Sequence, residues 1–108
     1  MSILYGRLMM LNHNQLIEKI KINIIPHDFY NYELPNLIFK KNCWNDGGLC
    51  PFHSDTKAGS FWVNLATGGF KCFSCGAHGG DVVSFTMLLH NLSFSNAIAK
   101  LSSEWGLL

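Results

Sequence analysis

The chain has no excess of charge of either sign. Its 108 residues carry eight Lys and Arg against seven Asp and Glu, a formal net charge of +1 at pH 7. So small an imbalance argues against avid, nonspecific attraction to a polyanion. A long apolar run is missing too. The apolar residues near the N-terminus (Ile3, Leu4, and Leu8 to Leu11) are interrupted by Arg7 and Asn12. That stretch is too short for a membrane span and has no signal-peptide cleavage pattern. The expectation is a cytoplasmic protein without a membrane partner, in a compartment where thiols stay reduced and paired cysteines bind metal or do redox work. No internal repeat, linker or low-complexity tract divides the chain, and its length suits one domain, 1–108, rather than a multidomain enzyme.

What is present is a chain that is 48% hydrophobic and rich in aromatics. It should fold around a modest core. The expected fold class is small α+β: a short antiparallel β-sheet flanked by N-terminal and C-terminal helices. The helical N-terminal segment covers about 12–35, the sheet region about 36–80 and the C-terminal helices about 81–106.

Local signals support that division. Asn12 with Gln15 makes a capping box ahead of an apolar stripe of Leu16, Ile17 and Ile20. Pro26 is placed to start a second short helix over 27–33, with Phe29, Tyr30 and Tyr32 as packing residues, and Pro35 to end it. Leu37-Ile38-Phe39 is expected to lead into a strand, and Asn45-Asp46-Gly47-Gly48 reads as a turn. From Ser60 to Leu65 the residues alternate, so Phe61, Val63 and Leu65 face one way and Trp62 and Asn64 the other. Ala66-Thr67-Gly68-Gly69 is a hairpin turn into a returning strand, Phe70-Lys71-Cys72. Asp81 and Ser93 are N-cap residues for two more helices. The first would turn Val82, Phe85, Leu88 and Leu89 inward. The second would carry Phe94, Ala97, Ile98, Leu101 and Trp105, with Gly106 at its C-terminal end.

The chemistry lies in two pairs. Cys50 and His53 stand three positions apart; eighteen residues later Cys72 and Cys75 repeat the spacing. Each pair can reach one ion from one tight loop, and together they supply three thiolates and an imidazole. That closed tetrahedral set suits one structural Zn²⁺ and leaves no open position for a catalytic water. The expected sheet of about 36–80 is therefore a zinc ribbon with two metal knuckles, its metal compensating for the modest core. The competing reading, a redox Cys72/Cys75 pair, wants a helix N-terminus in an α/β fold; here glycines follow and a second ligand pair precedes. Cys43 is the spare thiol, read as a packing residue that could replace His53 only in a four-cysteine site. His78 reads as a surface residue, and His13, His27 and His90 have no suitable ligand partners.

The residues around the ligands add specificity. Cys50-Pro51-Phe52-His53, Ser60-Phe61, Phe70-Lys71-Cys72-Phe73-Ser74-Cys75-Gly76 and Gly79-Gly80-Asp81-Val82-Val83-Ser84-Phe85 together closely resemble the N-terminal zinc-binding domain of bacterial and phage DNA primases. Leu92-Ser93-Phe94-Ser95-Asn96-Ala97 resembles that family's closing helix. The resemblance is strong from Gly48 to Trp105 and weaker from Leu16 to Lys41. One departure is the loop Asp55-Thr56-Lys57-Ala58-Gly59-Ser60-Phe61, which is a residue longer than the family's usual form and has no proline. Another is that the catalytic polymerase domain, with its acidic metal-binding residues, has no counterpart here, as in stand-alone forms from mobile elements.

The resemblance implies a module that holds single-stranded DNA template and assists primer initiation. It would not be catalytic alone, and would act beside a catalytic primase or replicative helicase protein. Between Lys40 and His78 there are four lysines (Lys40, Lys41, Lys57, Lys71) against two acids, a weakly basic face that would need stacking aromatics. Trp62, Lys71 and Phe73, with Lys40, Lys41 and Lys57, are therefore the candidate DNA contacts. Trp62 could instead be covered by the flanking helices, and Trp44 could belong to either class. A rival reading is a protein–protein adaptor that docks on a helicase, relaxase or primase without touching DNA. The near-neutral charge favours it, because three thiolates around a dication would bring the metal-loaded chain close to zero.

Overall fold

A computed structural model describes residues 12–34 and 37–107 of the chain. Among them are four helices and a four-stranded antiparallel sheet whose strands pair in chain order. The Pro35 helix stop and the apolar N-terminal residues lie outside the described residues.

Helix α1 (His13–Asn23) begins at Asn12, whose side chain accepts from the Gln15 N–H while Gln15 answers to the Asn12 N–H, so both halves of the capping box form. Ile20 and Ile24 are its buried anchors. Helix α2 (Pro26–Glu33) has Pro26 in its first turn, where a missing N–H costs nothing. Its Phe29 and Tyr30 are buried, but Tyr32 is exposed. At eight residues the helix has one inward face, and Tyr32 falls off it, with an edge contact to Trp105. The Tyr30 hydroxyl donates to the Gly68 carbonyl at 2.6 Å, tying this helix to the turn at 65–69. Burial there pushes the phenol far above its ordinary pKa, with Asp81 and Glu33 adding to the effect.

Strand β1 (Trp44–Asp46) starts later than the sequence suggests, and residues 37–40 form no regular element. The reason is Asn45. Its side-chain oxygen accepts from the Lys40 and Lys41 N–H groups and its amide donates to the Lys41 and Cys43 carbonyls. That pattern folds 40–43 into a loop, using backbone groups a strand would have paired. Asn45 and Asp46 are thus strand residues, the Gly47 N–H still donates to the Phe61 carbonyl, and the bend comes at Gly48 and Leu49. Cys43 is exposed rather than packed.

Strands β2 (Phe61–Asn64) and β3 (Phe70–Cys72) form the central hairpin, and β4 (His78–Gly79) adds a short edge the sequence did not announce. Gly79 pairs with Phe70, and any Cβ there would stand 2.6 Å from the Phe70 ring, so glycine is what lets β4 close on β3. Helices α3 (Val82–His90) and α4 (Phe94–Glu104) are capped by Asp81 and Ser93, which accept from Ser84 N–H and Asn96 N–H. Gly106, with φ of +69°, follows α4. Leu88 does not turn inward: it is exposed beside the second metal turn. Helix α4 packs against both α3 and α1.

The core is an aromatic cluster under one face of the sheet. Phe85 of α3 sits at its hub, with ring centroids 5.2 Å from Tyr30 and Phe52, 5.4 Å from Phe70 and 5.6 Å from Phe29. These are edge-to-face contacts, the arrangement the ring quadrupole favours. Phe61 and Val63 from β2 and Phe70 and Cys72 from β3 are buried against this cluster.

Candidate metal centre and nucleic-acid interface

The two ligand pairs sit at the same end of the sheet, away from the β2–β3 turn: the first lies between β1 and β2, the second closes β3, and Phe61 at the start of β2 is the cross-strand partner of Cys72. In the second turn, Cys72 closes β3, its N–H donates to the Ala77 carbonyl, and the Gly76 N–H returns to the Cys72 carbonyl at 2.9 Å. Gly76 has φ of +82°, a left-handed conformation that glycine adopts without steric cost. The Cys75 N–H points at the Cys72 sulfur at 3.4 Å, and in the first turn the Phe52 N–H points at the Cys50 sulfur at the same distance. Such N–H groups stabilise thiolate charge. The first turn is also held by Asp55, whose carboxylate accepts from the Cys50 N–H at 2.9 Å. Phe52, between the two ligands of that turn, anchors it in the aromatic core by stacking on Phe70 at 5.3 Å.

The outcome is that the ligand atoms of Cys50, His53, Cys72 and Cys75 all lie within 4.8 Å of one another. The Cys50 and Cys75 sulfurs are 3.9 Å apart. That is far beyond a disulfide bond, and close to the ~3.8 Å edge of a tetrahedron with zinc–sulfur bonds of ~2.3 Å. Nδ1 of His53 is buried and has no hydrogen-bond partner, an arrangement a cation would satisfy. The donor set and its spacing fit one structural Zn²⁺.

Without a cation the set is unfavourable. Burial pushes the Cys50 thiol up to about 12, against the partial help of the Phe52 N–H. Burial also acts to raise Cys72, but the Cys75 and Ser74 N–H groups outweigh it and hold that thiol below its ordinary value. Asp55 is held low chiefly by the Cys50 N–H. A dication deprotonates the thiols and resolves the conflict.

The opposite face of the sheet carries the second constellation. Strand register places Asp46, Trp62, Lys71 and His78 in one row across all four strands, with Trp44 opposite Asn64 beside it. The helices lie against the other face, so Trp62 is not buried beneath them; it is half-buried, with its Nε1–H donating to the Gly59 carbonyl at 3.2 Å. Phe73, 70% exposed, follows β3, and the Lys71 ammonium stands 5.0 Å above its ring centroid. Trp44, Trp62, Lys71 and Phe73 enclose an apolar groove of about 280 Å³.

Three of the six candidate DNA contacts are thereby brought together: Trp62, Lys71 and Phe73. Lys40 and Lys41 lie in the loop before β1 and Lys57 in the loop after the first ligand turn; all three are exposed, and none lines the groove. Trp44, 45% exposed, is the lining residue that sequence reasoning left undecided. Its place depends on the β1–β2 register, which no local signal around it specifies.

A ribbon whose two turns converge on three cysteines and a histidine is a structural zinc-binding domain. Comparison with known proteins narrows this. The sequence profile of the CHC2 zinc finger family matches residues 13–108, and the chain belongs to that family, the zinc finger of DNA primases of the DnaG type. It is 45% identical over 60 residues to the DNA primase of Streptomyces coelicolor, covering 56% of this chain and 9% of that one. It is 40% identical over 68 residues to the DNA primase of Helicobacter pylori, covering 63% and 12% respectively.

Among solved structures, the Aquifex aeolicus primase, comprising zinc-binding and RNA polymerase domains, superposes with a TM-score of 0.66 at 30% identity. That match covers 84% of this chain and 21% of the other. The chain thus spans about a tenth of the length of these curated relatives, and what it matches is their zinc-binding domain.

Proposed function

We propose that this domain holds single-stranded DNA template on the outer face of its sheet. It would assist primer initiation with a catalytic primase or helicase partner supplied in trans, the metal acting only to hold the ribbon in shape. The observation that carries the reading is the groove of Trp44, Trp62, Lys71 and Phe73 on a sheet face that the helices leave open. Exposed aromatic planes stack on unpaired bases, and a lysine at their edge pairs with a phosphate. Lys40, Lys41 and Lys57 would extend the phosphate track on either side. Asp46 in the same row offsets part of that attraction, so binding should rest more on stacking than on charge.

The test is a fluorescence-anisotropy titration of labelled single-stranded DNA and of the matching duplex at two salt concentrations. Preference for the single strand, with modest salt dependence, supports template binding. The near-neutral charge supports a second reading, in which the same ribbon docks on a helicase, relaxase or primase. No DNA binding at high protein concentration would favour that adaptor.

A further inference from the structure

The His53 ring is positioned asymmetrically. Its Nδ1 is buried and unpartnered, while its Nε2 faces the Asp55 carboxylate, with Oδ1 at 3.6 Å. That separation is longer than a formed hydrogen bond. The same carboxylate uses Oδ2 to accept from the Cys50 N–H at 2.9 Å, and Oδ1 also lies 3.5 Å from the Lys57 N–H. One side chain therefore touches both members of the first ligand pair, holding a backbone donor of one and facing a ring nitrogen of the other. Neither Asp55 oxygen is a further ligand in the cluster, whose four members are Cys50, His53, Cys72 and Cys75.

We infer that His53 binds the zinc through Nδ1, and that Asp55 is the positioning residue of this centre. Its carboxylate keeps the proton on Nε2, which leaves the Nδ1 lone pair free for the metal, and turns the ring toward the cluster. Through the Cys50 N–H it holds the sulfur of the same turn in reach of that ion. A carboxylate behind a histidine ligand also makes the imidazole a stronger donor.

The experiment uses the full chain loaded with zinc. Long-range ¹H–¹⁵N NMR correlations on His53 should show Nδ1 with a metal-bound shift and Nε2 carrying the proton. Chelator competition should show a loss of zinc affinity of about 10- to 100-fold for Asp55→Ala. Asp55→Asn, whose side-chain oxygen can still accept from the same N–H groups but carries no charge, should lose less. At saturating zinc, the Nε2 proton of Asp55→Ala should exchange with water faster than in the wild type, a change that a purely structural role for Asp55 would not produce. Zinc on Nε2 in the wild type overturns the inference, as does unchanged zinc affinity in the Asp55 variants. Should Asp55→Ala fail to fold, the wild-type NMR assignment and the Asp55→Asn affinity still decide it.

Discussion

Trp62→Ala and Lys71→Ala should separate stacking from charge on the outer sheet face. Trp62 is half-buried, and its indole is fastened by one solvent-side hydrogen bond to Gly59. Removing it therefore strips a groove wall without opening the core, where Phe61 and Val63 on the same strand are buried. Losing one stacked base costs ~1–3 kcal/mol, a weakening of about 5- to 150-fold at any salt concentration.

Lys71 is the direct cross-strand partner of Trp62 and contributes at most one phosphate contact. Lys71→Ala should lower the slope of log K against log salt by ~0.7. Because the two side chains are neighbours, the double variant should lose less than the sum of the single losses. The assay is anisotropy with labelled single-stranded DNA, using zinc content and circular dichroism to confirm that each variant keeps the fold. Wild-type affinity in Trp62→Ala, or an unchanged salt slope in Lys71→Ala, would refute the reasoning.

Other perturbations address the scaffold. Phe85→Ala removes the hub of the aromatic cluster and should cost ~3–5 kcal/mol, read by chemical denaturation at fixed free zinc. Since Phe52 packs on Phe85, zinc affinity should fall as well. Gly79→Ala sets a methyl 2.6 Å from the Phe70 ring and 2.7 Å from Ser84, and overpacking of this kind costs ~1–3 kcal/mol; a drop in Tm with the zinc still bound is the expected result. Zinc uptake should release protons at neutral pH, Cys50 foremost because burial pushes its metal-free thiol up to about 12. Calorimetric titrations in buffers of different ionisation enthalpy measure that release. The sign follows directly: acidification protonates the thiolates, so zinc affinity and stability should fall together as pH drops.

Much of this was legible in the residues because much of it is local. A ligand pair three positions apart on a tight turn needs only its own turn to converge. An N-cap needs only the N–H groups two or three residues ahead, so Asn12, Asp81 and Ser93 could be read as helix starts. Alternation told which way Trp62 points relative to Phe61. It could not tell whether a helix would cover that face, nor that Asn45 would spend its side chain folding 40–43 into a loop and delay β1 to Trp44.

The sequence alone thus determined the metal, the ribbon and the family, through short-range spacing that tertiary packing does not alter. Tertiary structure decided the surface. Register between strands far apart in the chain is a nonlocal choice, and a slip of one residue would send every side chain of a strand to the other face. That register, with the helices on the opposite side, brings Trp44, Trp62, Lys71 and Phe73 into one groove and leaves it open.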